Sequence, residues 1–124
     1  MTAEGREPTI WVKLRLPSGG EIGPGKIHLL RNVREHRSIA AAARAMGMSY
    51  RRAWLLLEEI AASCGAPVVE TFAGGKARGG ASLTPLAERL VDLFDRIVAE
   101  ANIGAAGSLK ELQSILPAPP ADRS

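Results

Sequence analysis

The sequence predicts a mostly α-helical fold with a small β-hairpin. Three observations predict it: apolar residues recur at helical spacing in several segments, aromatic residues make up only 4% of the chain, and a glycine-rich stretch separates two short runs with strand character. A core built mainly from Ala, Leu, Ile and Val favours closely packed helices. The 124 residues, 46% of them hydrophobic, suffice for one domain with one core.

One strand is predicted before the helices. Apolar residues occupy every second position from 10 to 16, which is the period of a half-buried strand. The run Pro17-Ser18-Gly19-Gly20 then ends the strand as a turn. Residues 1–9 precede this pattern, and we interpret them as a flexible lead-in.

Three helices are predicted to follow. The first runs from Pro24 to His36, with its basic residues opposite its apolar face. Ser38 is a good N-cap for a short second helix, because its hydroxyl can accept a hydrogen bond from a free N–H of the first turn. Gly47 ends that helix, and Ser49 caps a third helix from Tyr50 to about Cys64. The result is a helix, a tight turn and a helix.

A hairpin comes next. Residues 68–72 and 81–83 have strand character, and the loop between them is rich in glycine. This loop carries Lys76 and Arg78, so the tip of the hairpin is predicted to be flexible and basic.

A long helix follows the hairpin, with Thr84 as N-cap and Pro85 as its first residue. Its apolar face is wider than a small domain needs, and a partner subunit could cover the excess. We expect a break between residues 104 and 107, a short helix capped by Ser108, and a disordered Pro-rich end.

The composition restricts the possible partners. A net charge of +3 and an isoelectric point of about 9.5 favour an anionic partner. The lone Cys64 cannot form an internal disulfide, and no Cys or His cluster has metal-ligand spacing, so we expect a cytoplasmic protein without metal or cofactor. No apolar run approaches the roughly 20 residues that span a bilayer, and we expect no membrane partner.

The opening turn of the third helix is the predicted DNA contact. A helical wheel places Arg51 almost opposite the inward-facing residues, with Arg52 at its flank. A guanidinium can donate two parallel hydrogen bonds to guanine, worth roughly 1–3 kcal/mol of discrimination. Ser49 and Tyr50 can contact phosphate or sugar. Trp54 we assign to packing, the commoner role of a large aromatic beside an inward face.

The hairpin tip is predicted to make a second contact. Glycines let the tip approach a phosphate backbone, while Lys76 and Arg78 supply charge. The order of elements is that of a winged helix-turn-helix, with an amino-terminal strand and a long carboxy-terminal dimerisation helix. We expect this domain to span residues 10–103, with a short helix and Pro-rich tail at 104–124.

Several motifs carry a more specific signal. They are Ser38-Ile39 with Ala42-Ala43, Gly47-Met48-Ser49-Tyr50-Arg51-Arg52-Ala53-Trp54, Val69-Glu70-Thr71 with Gly74-Gly75-Lys76 and Gly79-Gly80-Ala81, and Leu83-Thr84-Pro85. In these motifs the chain resembles the amino-terminal DNA-binding domain of ModE-type molybdate-dependent transcriptional regulators. The resemblance covers residues from about 10 to 103, and the Ser-Tyr-basic run with the Gly-Gly-Lys wing distinguishes it from LysR-type regulators.

The resemblance implies a homodimer held partly by the amino-terminal strand and the long helix, bound to double-stranded operator DNA. It implies DNA contacts for Ser49, Tyr50, Arg51, Arg52 and Lys76, and a link to molybdenum metabolism. The full-length regulators continue into a molybdate-binding region, whereas this chain stops shortly after Leu116. That difference puts direct molybdate binding in doubt.

A different class of function stays open at this point. A dimerisation or adaptor protein with a winged fold could act through protein contacts along residues 86–116, with weak DNA binding and no sequence preference. An enzyme is not expected, because the chain shows no paired carboxylates, no nucleophile with a nearby base, and no glycine loop that cradles phosphate at a helix start.

Overall fold

The computed structural model describes residues 7–72 and 79–119. Within these residues nine elements follow in chain order: β1 (Leu14–Arg15), β2 (Glu21–Ile22), α1 (Pro24–His36), α2 (Ile39–Ala45), α3 (Tyr50–Cys64), β3 (Val69–Phe72), β4 (Gly80–Leu83), α4 (Pro85–Gly104) and α5 (Ala106–Ile115). Strands β1 and β2 form one antiparallel pair, and β3 and β4 form another. The mostly helical class is confirmed.

The three predicted helices α1, α2 and α3 are confirmed with their caps. Ser38 and Ser49 each accept a hydrogen bond of 3.0 Å from the backbone N–H three residues later, which satisfies a donor that a helix start leaves free. At the other end of α3, Gly65 adopts the left-handed conformation with φ of 77°. These signals are local in sequence, and each sets a helix boundary.

One hydrophobic core joins α1, α2, α3, α4 and the two β-pairs. Its buried apolar residues are Ile22, Ile27, Leu29, Leu30, Val33, Ile39, Ala42, Ala43, Ala53, Leu57, Ile60, Val68, Ala81, Leu83, Ala87, Val91 and Phe94. A single aromatic ring, that of Phe94, belongs to this set, as the composition predicts. The core holds the helix-turn-helix and the β3–β4 hairpin on one framework.

The amino-terminal strand is shorter than predicted. Alternate positions from 10 to 16 are half-buried and exposed, as the pattern indicates, but only Leu14 and Arg15 pair, with Ile22 and Glu21. The reason is the partner, since β2 is itself only two residues long. At Ile10 the backbone N–H and carbonyl bond to the side chain of Asn102 in α4 instead.

The last helix also differs from its prediction. Ser108 lies inside α5 and does not cap it; Ala105 separates α4 from α5, with φ of −100° and ψ of 12°. This conformation is close enough to helical that the chain resumes a helix after one residue, and the N–H of Leu109 donates to the carbonyl of Ala105 at 2.8 Å. Glycines at 104 and 107 permit a break but do not impose one.

The β3–β4 hairpin packs beside α1 and α4. Val69 pairs with Leu83 and Phe72 pairs with Gly80, which sets the register of the whole hairpin. With the three helices before it and α4 after it, this hairpin gives the chain a winged helix-turn-helix fold. Its tip, including the predicted contacts Lys76 and Arg78, lies outside the described residues.

Candidate nucleic-acid interface

The turn between α2 and α3 is a tight backbone structure. Gly47 adopts a left-handed conformation with φ of 69°, which glycine reaches without steric cost. Its N–H donates to the carbonyl of Arg44, and the N–H of Met48 donates to that of Ala43, both at 3.0–3.1 Å. These bonds end α2 and let α3 begin two residues later.

Small residues bring α2 and α3 close together. Ala42, Ala43 and Ala53 are all buried, and none has atoms beyond Cβ to hold the helices apart. Farther along α3, Leu57 and Ile60 continue the buried face. The opposite face of α3 is therefore fixed toward solvent.

The opening turn of α3 is exposed at all four predicted contact residues. Ser49, Tyr50, Arg51 and Arg52 all lie at the surface, and 54% of Tyr50 is accessible. The hydroxyl oxygen of Ser49 accepts the cap hydrogen bond from the N–H of Arg52, so its own O–H stays free to donate. The structure thus brings these four residues together at one end of one helix.

The arginines of the chain fall into two groups. Arg34 of α1 reaches Glu88 at 3.1 Å and Asp92 at 3.7 Å in α4, and Arg31 pairs with Asp95. By contrast Arg44, Arg51 and Arg52 are exposed and form no ion pair within residues 7–72 and 79–119. Arg37 and the α4 residues Arg89 and Arg96 are also exposed without an ion pair, so the α2–α3 turn holds three of the six such arginines among the described residues, whereas Arg31 and Arg34 join α1 to α4.

The position of Arg51 and Arg52 is unfavourable for the helix itself. The free N–H groups give a helix start a partial positive charge, so acidic residues stabilise a first turn and basic ones do not. The first turn of α3 contains no acidic residue. Two cations and the helix dipole add to one positive potential, which is the arrangement that attracts a phosphate group. A local preference broken in this way is typical of a functional site.

Sequence reasoning missed two residues of this surface. Trp54 stacks on Tyr50, with ring centroids 6.5 Å apart and an interplanar angle of 14°, and 37% of it is accessible. It also borders a groove against Pro67 and Val69, so packing accounts for only part of its surface. Leu55 is 47% accessible. Trp54 follows Tyr50 by four residues, and Leu55 follows Arg51 by four, so each lies one helical turn from a predicted contact residue. This spacing could have identified both residues from the sequence.

Within the part of the chain that the structure describes, no group of three or more His, Cys, Asp or Glu residues could hold a metal ion. Of the helices described, none is both long and apolar enough to cross a membrane.

Comparisons with known proteins agree with the resemblance in sequence. No protein-family model matches the chain. It is 37% identical over 105 residues to the molybdenum-pterin-binding protein MopB of Rhodobacter capsulatus, covering 85% of this chain and 37% of that protein. It is 36% identical over 86 residues to the transcriptional regulator ModE of Haemophilus influenzae, covering 69% of this chain and 34% of that one.

The chain is a homologue of the ModE-type regulators. The similarity extends to the DNA-binding transcriptional dual regulator ModE of Escherichia coli, with 38% identity over 72 residues, 58% of this chain and 28% of that protein. The chain thus spans about a third of the length of the curated relatives it matches.

Solved structures support the fold. The CbnR DBD–DNA complex matches with a TM-score of 0.53 at 20% identity, covering 73% of this chain and 95% of the other. The BenM DBD/benA site 1 DNA complex matches with a TM-score of 0.52 at 13% identity, covering 74% and 97%. At these identities the likeness concerns the fold, and it agrees with the winged helix-turn-helix described above.

Proposed function

We propose that the chain is a sequence-specific, DNA-binding transcriptional regulator of the ModE type and not an enzyme. Its α3 lies in the major groove of double-stranded DNA, with Arg51 and Arg52 reading base edges and Ser49 and Tyr50 contacting the backbone. The observation that carries the proposal is that three exposed arginines without ion pairs in the described residues, Arg44, Arg51 and Arg52, flank one turn whose geometry presents the start of α3 to solvent. The names of the relatives support it.

The hairpin supplies the second contact in this proposal. Lys76 and Arg78 follow β3 in sequence and would meet phosphates on the flank of the groove that α3 occupies. Support comes from the hairpin's attachment: the N–H of Ala81 donates to the carbonyl of Arg37 at 3.0 Å, between α1 and α2. This bond attaches β4 of the hairpin to the residue that links α1 and α2.

We also infer a homodimer. Trp11 is 83% accessible, Ile103 74% and Ile115 71%, and α5 has no buried residue at all. Large apolar side chains exposed in the arm (residues 7–13, before β1), in α4 and in α5 are typical of a surface that a partner covers. A twofold dimer would present its two α3 helices to half-sites about one turn of DNA apart.

The regulator would act in the cytoplasm, where a bacterial chromosome lies, and its targets would belong to molybdenum metabolism. The name of one relative, the molybdenum-pterin-binding protein MopB, supports that link. Fragments that the purified chain selects from genomic DNA will identify the targets.

The test is a pair of matched double variants. Arg51→Ala with Arg52→Ala should weaken binding to a selected DNA fragment by about tenfold or more, because each base contact is worth about 1–3 kcal/mol. Arg89→Ala with Arg96→Ala removes the same charge from two exposed arginines of α4 and should leave binding nearly unchanged. Titrations at one fixed salt concentration, against selected and scrambled DNA, measure both effects.

Two results would overturn the proposal. One is equal loss of affinity in both double variants, which would mean that only net charge matters. The other is wild-type binding with no preference for the selected fragment over the scrambled one, since a regulator should prefer its site by several kcal/mol.

A further inference from the structure

The outer face of α3 carries an unusual amount of exposed apolar surface. Tyr50, Trp54 and Leu55 are 54%, 37% and 47% accessible, and all three lie within the first two turns. A helix face turned to water normally carries polar side chains. Contiguous apolar surface surrounded by charged residues is typical of a binding site for a macromolecule or ligand.

These residues form two parallel rows along the helix. Residues four apart lie one turn apart on the same face, so Tyr50 and Trp54 form an aromatic row, and Arg51 and Leu55 form an arginine–leucine row. The aromatic row is turned toward β3, where Trp54 borders the groove with Val69. The arginine–leucine row is opposite the buried residues Ala53 and Leu57, at the outermost line of the helix.

The residues around Leu55 indicate which kind of partner contacts it. Arg51 precedes it by one turn and forms no ion pair in residues 7–72 or 79–119. An apolar protein partner would have to bury that cation without a counter-charge, whereas DNA provides acceptors for it. The occupant that suits both members of the row has hydrogen-bond acceptors beside an apolar group.

The major groove offers that combination in one arrangement. Guanine presents two acceptors, N7 and O6, and the C5-methyl of thymine is an apolar group at the edges of the bases. One helical turn advances about 5.4 Å, less than two base-pair steps of 3.4 Å. Arg51 and Leu55 can therefore contact neighbouring base pairs.

We propose that Leu55 is a specificity-determining residue that contacts the 5-methyl group of a thymine within two base pairs of the guanine bound by Arg51. The proposal rests on the DNA-binding function proposed above. Leu55 thus makes the recognised sequence contain thymine at a fixed distance from guanine.

A cycle of base and side-chain changes tests the contact. In the DNA fragment selected by the wild-type chain, each thymine near the essential guanine is replaced singly by deoxyuridine, which removes only the methyl group. One replacement should weaken wild-type binding about fourfold, the effect of uncovering one buried methyl. In Leu55→Ala the same replacement should change binding less than twofold, because the partner of the methyl group is gone.

A matched variant controls for loss of an exposed leucine. Leu86, in the first turn of α4 and at the other end of that helix from Ile103, is 41% accessible, close to the 47% of Leu55. Leu86→Ala should keep the fourfold dependence on the methyl group. Circular dichroism of both variants should equal that of the wild type, since neither side chain belongs to the core.

The outcomes distinguish the proposed Leu55–thymine contact from the DNA-binding function on which it rests. If the fragment binds through Arg51 but no thymine shows a methyl dependence, Leu55 has a different role while the DNA-binding function stands. A dependence that persists in Leu55→Ala and disappears in Trp54→Ala assigns the contact to the aromatic row and overturns this one. If the wild type selects no DNA sequence, both proposals are wrong.

Discussion

The N–H of Ala81 in β4 donates a hydrogen bond of 3.0 Å to the carbonyl oxygen of Arg37, which ends α1 in the left-handed conformation with φ of 56°. The N–H of Arg37 in turn donates to the carbonyl of Val33 at 2.8 Å. One residue thus closes a helix, begins the connection to α2 and fixes the hairpin. Arg37 is the single residue other than glycine with positive φ among those described.

The conformation of Arg37 leads to a first prediction. A residue with a Cβ in this region costs roughly 1–2 kcal/mol, which glycine avoids at a smaller entropic cost. Arg37→Gly should therefore raise the free energy of unfolding by about 0.5–1 kcal/mol. Arg37→Val should lower it, because a β-branched residue fits this region poorly. Urea unfolding measures both, and an Arg37→Gly variant less stable than wild type would contradict the argument.

Gly20 gives a second prediction. A Cβ at Gly20 would overlap the Oγ of Ser63 and lie 2.6 Å from its Cβ, so the β1–β2 turn could no longer rest on the end of α3. Gly20→Ala should cost about 1–3 kcal/mol of stability, the usual effect of overpacking. Adding Ser63→Gly should recover part of that loss, because it removes both overlapping atoms.

Gly25 is the matched control for this substitution. It lies in the first turn of α1 with nothing within 4 Å of an added Cβ. Gly25→Ala should raise stability by up to about 1 kcal/mol through better helix propensity. Opposite signs for the two variants support the packing argument, and equal signs would contradict it.

The sequence predicts those parts of the fold that depend on local signals. The caps Ser38, Ser49 and Thr84 each mark a helix start within a few residues, and the observed helices begin there. The length of the first strand was predicted wrongly, because pairing depends on a partner strand and on Asn102, ninety-two residues away. A pattern within one segment cannot show a distant partner.

The candidate site likewise has features that follow from local sequence signals and features that depend on distant residues. The exposure of Arg51 and Arg52 follows from the period of one helix. The pairing of Arg31 and Arg34 with α4 joins residues more than fifty positions apart, and only the packing of the two helices shows it. These two arginines could not be separated by sequence from the unpaired ones near the turn.

This division of the arginines leads to a third prediction. Arg34→Ala should lower stability by at most about 1 kcal/mol, since its ion pairs with Glu88 and Asp92 are exposed to solvent. It should leave the salt dependence of DNA binding unchanged. Arg52→Ala should lower the preference for the selected sequence and leave the slope of log K against log salt nearly unchanged, because its guanidinium is proposed to contact a base edge and not a phosphate.

Titrations at several salt concentrations measure the two slopes. A slope made shallower by about 1 in Arg52→Ala, with the sequence preference kept, would assign Arg52 to a phosphate and contradict its proposed contact with a base edge. A reduced slope for Arg34→Ala would contradict its assignment to the α1–α4 contact.

Cys64 gives a fourth prediction, on pH. Burial raises the pKa of the Cys64 thiol, because desolvation disfavours the thiolate. A thiol whose pKa is higher in the folded chain stabilises the fold fully below its unfolded pKa, and this contribution is lost as the pH rises through the folded pKa. Stability should therefore fall more steeply above about pH 8.5 in the wild type than in Cys64→Ala.

Two measurements check the pH effect. The difference in unfolding free energy between wild type and Cys64→Ala, followed from pH 7 to pH 10, removes the contribution of every other titrating group. Alkylation of Cys64 at pH 8 should also be slower in the folded chain than in urea, because the reactive form is the thiolate. Equal alkylation rates in both states would contradict the raised pKa.

The side chain of Asn102 gives the last prediction. Its Oδ1 accepts a hydrogen bond from the N–H of Ile10 at 2.9 Å, and its Nδ2 donates to the carbonyls of Ile10 at 3.2 Å and Val98 at 2.9 Å. One amide thereby replaces the neighbouring strand that Ile10 lacks, and it holds the arm bearing the exposed Trp11 against α4. Asn102→Ala should speed hydrogen exchange at the N–H of Ile10 several-fold, since one net hydrogen bond is worth about 1 kcal/mol. Glu100→Ala, a change at an exposed residue of the same helix, should leave that exchange rate unaltered, and unchanged protection of Ile10 in Asn102→Ala would mean that another contact holds the arm.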